Sequence, residues 1–354
     1  MRGRRGSIAR VGIGLVISIV SIWLVLGEVN LAEAWDVIRT ANPAWLVLGL
    51  VFLSIDVLVR AWRWQRLVLP IKWVRYIPIL EYTLVGYLAN NVLPARLGEL
   101  VRCHYLGDRE KISRASALGT VVVERVVDAA VVVAIAAVAI LVLNVRGVVA
   151  SAILVGLAVT GLLVVGLAIG IAAHRLPGAR RLAAQVERWP SLAEAARRLR
   201  DGLAVAGRPQ TLAEALILTV LAWSSTVVAF AVIGQAIGLH LLIGEAALLA
   251  AGVALATAIP SGPGYLGTYE LAAVKIAEAL GQSTEQAFAL ALLAHASVLI
   301  LTSVAGAVAF IRLGWTSSVH EVEDVITGRG FVDSYGTGSP SDRRSREHPW
   351  HCSE

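Results

Sequence analysis

Residues 115–143 open Ala115-Ser116-Ala117-Leu118-Gly119-Thr120-Val121-Val122-Val123-Glu124-Arg125-Val126-Val127-Asp128 and run on from Ala129 to Leu143 with no further charge. About 20 apolar residues cross a bilayer's hydrocarbon core as a helix, and this stretch is longer than that. It nevertheless holds three ionisable residues near its middle. At ~1.5 Å rise per residue, Glu124 lies roughly 14 Å from Ala115, well inside the core. A charge at that depth costs roughly 2.5–3.5 kcal/mol even on insertion scales, so all three need partners or water. Glu124 and Asp128 are four apart on one helix face, and Arg125 with Asp128 is a three-apart pair. Two readings stand: a salt-bridged knot that stitches helices together, or one charged wall of a hydrophilic cavity.

Outward from this segment, apolar runs recur near 10–27, 43–59, 76–93, 147–173, 211–237, 245–280 and 286–312. The 354 residues are 57% hydrophobic and 16% charged, with a mean hydropathy of +0.73. A soluble domain is about half apolar and about a quarter charged. A secreted enzyme, a DNA-binding protein and a disordered hub are excluded on this ground, and the expected fold is an all-α polytopic membrane protein. The net charge of +6 follows from basic residues on cytoplasmic loops rather than from nucleic acid as a partner. Cys103 and Cys352 are too few for a disulfide framework, and the histidines show no metal-binding spacing, so neither metal nor other cofactor is expected. Arg2, Arg4, Arg5 and Arg10 precede the first run, and Ala32-Glu33-Ala34 offers a small-residue cleavage pattern. The run is longer than a signal core and many spans follow it, so a retained anchor with its N-terminus inside is the expectation.

Charge sets the topology. If every segment crosses, the loop 174–210 lands outside with eight arginines, giving ten basic loop residues inside and twelve outside. If 76–104 and 245–282 each enter and leave on one side, the cytoplasm receives twenty and the outside only Arg39 and Arg146. The positive-inside bias favours the second arrangement, six full spans plus two re-entrant helical hairpins, over eight full spans. Both termini are then cytoplasmic in the plasma (inner) membrane. The membrane domain covers 1–313. Within it, 174–210 reads as a basic amphipathic helix on the headgroups or as a solvated cytoplasmic loop. Residues 28–42 form a short amphipathic connector, with Trp35 and Trp45 placed as interfacial anchors. The polar tail 314–354 cannot bury enough apolar surface to offset chain entropy and is expected to be disordered.

Helix breakers and polar groups concentrate in the two hairpins. The first reads Asn90-Asn91-Val92-Leu93-Pro94-Ala95-Arg96-Leu97-Gly98-Glu99-Leu100-Val101-Arg102. The second reads Ile259-Pro260-Ser261-Gly262-Pro263-Gly264-Tyr265-Leu266-Gly267-Thr268-Tyr269-Glu270. Proline and glycine at this density end helices. Freed backbone in hydrocarbon costs several kcal/mol per unsatisfied group unless it faces protein or a wet cavity. Paired breaks in two halves point to a midplane binding site, where half-helix N-termini can face an anion. Either stretch alone also reads as an ordinary interhelical loop. Glu81 and His295 are lone polar residues in apolar segments, and a satisfied structural role is expected for both.

These motifs resemble the lysylphosphatidylglycerol synthase transmembrane (flippase-like) family. The likeness rests on Asn90 to Pro94, Arg96-x-Gly98-Glu99-x-x-Arg102, Glu124-Arg125-x-x-Asp128 and Pro260-Ser261-Gly262-Pro263-Gly264-x-x-Gly267-Thr268-x-Glu270, and covers roughly 10–313. It implies a membrane domain that moves aminoacylated phosphatidylglycerol between leaflets, which in well-understood members accompanies a cytosolic aminoacyl transferase domain. No such domain fits in this sequence, so a stand-alone member is implied, whose cargo is another anionic or polyprenyl-linked lipid.

Three functions compete. In lipid translocation, Arg96, Arg102 and Arg125 replace the water of a phosphate, which arginine grips in a two-point fork. Glu99, Glu124, Asp128 and Glu270 balance those arginines, and Asn90, Asn91, Ser261 and Thr268 complete the polar lining. Glu124 and Asp128 are also conceivable proton carriers. A membrane enzyme has the same carboxylates in its favour, but no nucleophile or metal motif. A non-catalytic partner of an envelope lipid- or glycan-modifying enzyme would use the charges as staples only. The cargo, the direction, the energy source and the oligomeric state are not encoded in any motif.

Overall fold

A computed structural model describes residues 2–93, 97–172, 197–199, 201–258 and 261–314. Every regular element among them is helical. In chain order they are α1 (Arg2–Glu28), α2 (Leu31–Arg39), α3 (Pro43–Val68), α4 (Tyr76–Val92), α5 (Gly98–Glu110), α6 (Arg114–Leu143), α7 (Val148–Ala172), α8 (Pro209–Ala236), α9 (Ile243–Ala256), α10 (Thr268–Ala279) and α11 (Thr284–Arg312). Short 3-10 turns sit at Ala204–Gly207 and Pro263–Tyr265. Local signals start several helices. Asn42 accepts from the Ala44 amide with Pro43 in the first helical turn, Asn30 accepts from Ala32 and Glu33, and Ser283 accepts from Gln286. Each side chain satisfies an amide that the first turn leaves without an intrahelical partner.

Four helices, α3, α6, α8 and α11, are long and apolar enough to span a membrane, and α1 with α2 makes a fifth as a pair bent by 88°. α2 lies across that bend with Trp35 62% exposed, which suits an interfacial helix. The segment at 245–280 is no continuous span but two short helices, as the breaks at 257–267 predict.

α3 and α8 run antiparallel in close contact. Asn42 donates its amide to the Ala236 carbonyl at one end, Ser225 bonds the Phe52 carbonyl midway, and Arg66 pairs with Glu214 at the other end. α11 acts as a ruler through the bundle. Arg312 reaches Glu81 at the start of α4, and Asn91 at the end of α4 donates to Thr302 and Ser303. Further along, His295 meets Gly264 and Glu270, and Thr284 meets Glu278 near the end of α10. Two helical hairpins therefore approach from opposite ends. α4 folds back on α5, with Tyr82 stacked on Tyr105 and the Asn90 side chain accepting from the Gly98 amide. A Cβ on Gly98 would stand 1.9 Å from the Gly86 carbonyl oxygen, so only glycine permits this crossing. α9 likewise folds back on α10, and Ile276 closes over Gly252. At ~1.5 Å per residue the legs of 17, 13, 14 and 12 residues are all shorter than the roughly 30 Å hydrocarbon core. The hairpin tips meet: the Cβ position of Gly264 lies 3.6 Å from the Asn91 carbonyl oxygen.

Candidate functional site: a charged cavity where the hairpins meet

On α3, Asp56, Arg60 and Arg63 recur at helical spacing and share the face turned to α6. Arg63 is fully buried. It donates to Asp128 at 2.6 and 3.0 Å, to Glu124 at 2.9 Å and to Thr219 at 2.8 Å. Arg102 of α5 reaches Glu124 at 3.1 Å and lies over the Trp64 ring at 4.7 Å. Arg125 pairs with Glu99 at 2.9 Å and approaches Asp128 at 3.8 Å. Arg60 holds Asp56 at 2.8 Å, approaches Asp128 at 3.6 Å, and covers Trp223 at 4.6 Å, while the Trp223 indole N–H donates to Asp128. Four guanidiniums and four carboxylates thus form one connected network across α3, α5 and α6. Buried charges survive only when paired and hydrogen-bonded in this way.

The network forms one wall of a cavity of about 430 Å³. Asp56, Arg60, Glu124, Arg125 and Asp128 face it, with Asn90 and Asn91 from the first hairpin tip and Tyr265, Tyr269 and His295 from around the second. Apolar groups, among them Leu53, Val132, Phe230, Val253 and Leu299, form most of the rest of the lining, with Tyr87, Thr226, Thr257 and Thr302. Arg125 leaves 41% of its side chain accessible where it borders this chamber. Thus both readings of the Glu124–Asp128 motif apply at once: Arg63 and Arg102 bind it from behind, while the cavity borders it in front.

A model of the lysylphosphatidylglycerol synthase TM region matches residues 11–306. The chain belongs to this family. It is also similar to the UPF0104 membrane protein MJ1595 of Methanocaldococcus jannaschii, with 28% identity over 120 residues, 33% of this chain and 36% of that protein. The similarity therefore spans about a third of that relative's length. No solved structure matches the chain.

Within this lysylphosphatidylglycerol synthase TM region, the sequence-derived residues separate into groups. Asn90, Asn91, Glu124, Arg125 and Asp128 line the cavity. Glu99 touches it through Arg125. Arg102 is 4% exposed and stands behind Glu124, outside the cavity lining. Pro94, Arg96 and Pro260 lie outside the described residues, as do most of 174–210 and 315–354. Glu270 does not join the arginines. It accepts from the Gly267 amide at 2.7 Å and meets His295 at 2.5 Å, at the start of α10. His295 and Glu81 are correspondingly not lone, because Glu81 pairs with Arg312. Thr268 donates to the Tyr265 carbonyl, and Ser261 is buried with its hydroxyl unpartnered. The Gly262 amide donates to the Ser18 hydroxyl, and Gly264 and Gly267 hold φ of +63° and +88° that bend the chain after Pro263.

Arg60 and Arg63 are the clearest correction. The sequence ends the second apolar run at residue 59 and assigns both arginines to a cytoplasmic loop. α3 instead continues to Val68 and carries them inward. This removes two of the twenty inside charges and leaves the bias standing. The missed signal was the demand of Glu124 and Asp128 for cations, answered by the Asp56-x-x-x-Arg60-x-x-Arg63 spacing.

Proposed function

We propose that this membrane domain carries a lipid bearing an anionic, phosphate-containing headgroup, either phospholipid or polyprenyl-linked, from one leaflet to the other. The observation that carries this reading is the mixed cavity between the hairpin tips, charged on one side and apolar on the other. A headgroup cannot enter hydrocarbon cheaply, because its charges lose their water. Arg60 and Arg125 supply fork-shaped donors for a phosphate, and Asn90 and Asn91 add neutral hydrogen bonds. Asp56, Glu124 and Asp128 keep the arginines paired between loads, while the apolar lining accepts the upper acyl chain. The task is solvation, with no bond made or broken, so we read the domain as a carrier rather than an enzyme.

The same reading sets the chain in the plasma membrane with six full crossings and both termini cytoplasmic. The hairpins α4–α5 and α9–α10 then enter and leave from opposite faces. The ends of α3, α5 and α11 and the starts of α4, α6 and α8 lie together and carry Arg66, Lys72, Arg75, Arg109, Lys111, Arg114, Arg208 and Arg312, which supports a cytoplasmic assignment for that end.

The test is leaflet exchange of fluorescent lipids in liposomes holding the pure protein. Wild type is expected to accelerate exchange of at least one anionic or polyprenyl phosphate lipid at least tenfold over protein-free liposomes. Arg125→Ala and Glu99→Gln, inserted at equal density, are expected to fall towards the protein-free rate. Exchange no faster than in protein-free liposomes for anionic, aminoacylated and polyprenyl lipids would overturn the carrier reading and favour a non-catalytic partner of an envelope enzyme.

A further inference from the structure

The second hairpin tip is fastened to α1 by the Gly262 amide, which donates to the Ser18 hydroxyl, and to α11 by one imidazole between two acceptors. His295 Nε2 lies 2.8 Å from the Gly264 carbonyl oxygen, and Nδ1 lies 2.5 Å from Glu270 Oε1. Both partners are buried, as is the ring, which the Tyr269 ring covers at 4.0 Å in a parallel stack. A peptide carbonyl can only accept. A neutral imidazole has one N–H, and an ionised carboxylate has none. Neutral His295 with ionised Glu270 therefore satisfies one contact and sets two lone-pair acceptors against each other at the other. Both contacts form together only if the pair holds one additional proton, on the ring or on the carboxyl.

We infer that His295 and Glu270 form a proton-binding latch that ties the second hairpin tip to α11, and that proton release frees the tip from the cavity. The inference rests on the cavity described above, and it adds the coupling ion to the carrier reading. On release the proton leaves to cavity water, and the ring keeps a single N–H. That N–H stays with Glu270 or with Gly264, and the other contact opens. The tip is built to respond. Gly264, Tyr265 and Gly267 all hold positive φ, and Gly264 abuts Asn91 where the two hairpins touch.

The groups that face this pair are few. On α10 and the tip they are Tyr269 and Tyr265. Across the cavity are Tyr87 of α4, Asp56 and Arg60 of α3, and Glu124, Arg125 and Asp128 of α6. α1 contributes the uncharged Ser18 and Glu28, which pairs with Lys275 of α10 beside Glu278; α9 contributes Glu245, which caps its own first turn; and the charges of α2 are Glu33, Asp36 and Arg39, of which Asp36 and Arg39 pair in an exposed position. The Asp56–Asp128 network is already paired within itself, so Glu270 is the carboxylate in contact with the ring.

Thiol accessibility tests the latch without requiring transport. Ser261→Cys is made in the full chain lacking Cys103 and Cys352, reconstituted in nanodiscs, and reacted with a charged methanethiosulfonate. Rates are divided by those of Thr40→Cys, an exposed site, to remove the pH dependence of the thiol itself. The wild-type latch is expected to label at least tenfold faster at pH 9 than at pH 6. Adding Glu270→Gln supplies a side-chain N–H to Nδ1 and an oxygen to the Gly267 amide, so both contacts form with no extra proton. That variant is expected to label slowly at both values of pH. His295→Ala is expected to label fast at both. A pH-independent rate in the wild-type background, or a Glu270→Gln variant that keeps its pH dependence, would overturn the inference. A titrating latch in a protein that exchanges no lipid would sink the carrier reading alone.

Discussion

The two hairpins have the same outline and are held by opposite chemistries. The α4–α5 hairpin is fixed by redundancy: Asn90 closes its turn on Gly98, and Arg102, Glu99 and Arg125 tie it into an eight-membered ion network. The α9–α10 hairpin is fixed at its tip by the His295–Glu270 pair and by the Gly262 amide on Ser18, at a turn where three residues hold positive φ. A network with several paths keeps its shape when one contact fails, whereas a tip held at two points changes when one of them opens. With the latch inferred above, the first hairpin is the fixed wall and the second the part that moves.

The largest test of that contrast is Arg63→Ala. It strips Glu124 and Asp128 of their shared buried cation, and breaking such a pair costs about 3–5 kcal/mol. The expected outcome is a large loss of stability in SDS-driven unfolding in micelles, with poor insertion. A loss under about 1 kcal/mol would show that the network is not what fixes the wall. Next come alanines at the two turning glycines. Gly98→Ala drives a Cβ into the Gly86 carbonyl, and Gly267→Ala brings one to 2.6 Å from the Ser18 carbonyl at a φ of +88°. Overpacking of this kind costs about 1–3 kcal/mol. If the hairpins differ as described, Gly98→Ala lowers stability and exchange together, whereas Gly267→Ala raises Ser261→Cys labelling at pH 6 with a smaller stability loss. Arg66→Ala serves as the sharpening control. Its pair with Glu214 is over one-third exposed on each side, and exposed pairs contribute under about 1 kcal/mol. Equal losses for Arg66→Ala and Arg63→Ala would erase the distinction between buried network and surface pair.

Much of this was legible in the residues. Proline and glycine at 94–98 and 260–267 marked both turns, because backbone that leaves a helix in hydrocarbon needs those residue types and a polar lining. Glu124 and Asp128 announced a buried charge site by their depth in an otherwise apolar run. What the sequence could not supply was the partner choice. Arg63 looks like the end of a span because a charge near an apolar boundary is usually solvated; only the packing of α3 against α6 turns it inward. His295 and Glu270 are 25 positions apart in separate helices. No periodicity links them, and their meeting depends on the reversal at Gly264 and Gly267.

The network has one more consequence, which concerns voltage. Arg60, Arg63, Arg102 and Arg125 stand against Asp56, Glu99, Glu124 and Asp128, so the formal charges of the wall cancel. A transmembrane potential does work of about 2.3 kcal/mol per elementary charge per 100 mV. It therefore exerts no net pull on this cluster as a body. In electrical recording the wall is therefore expected to contribute no gating charge of its own.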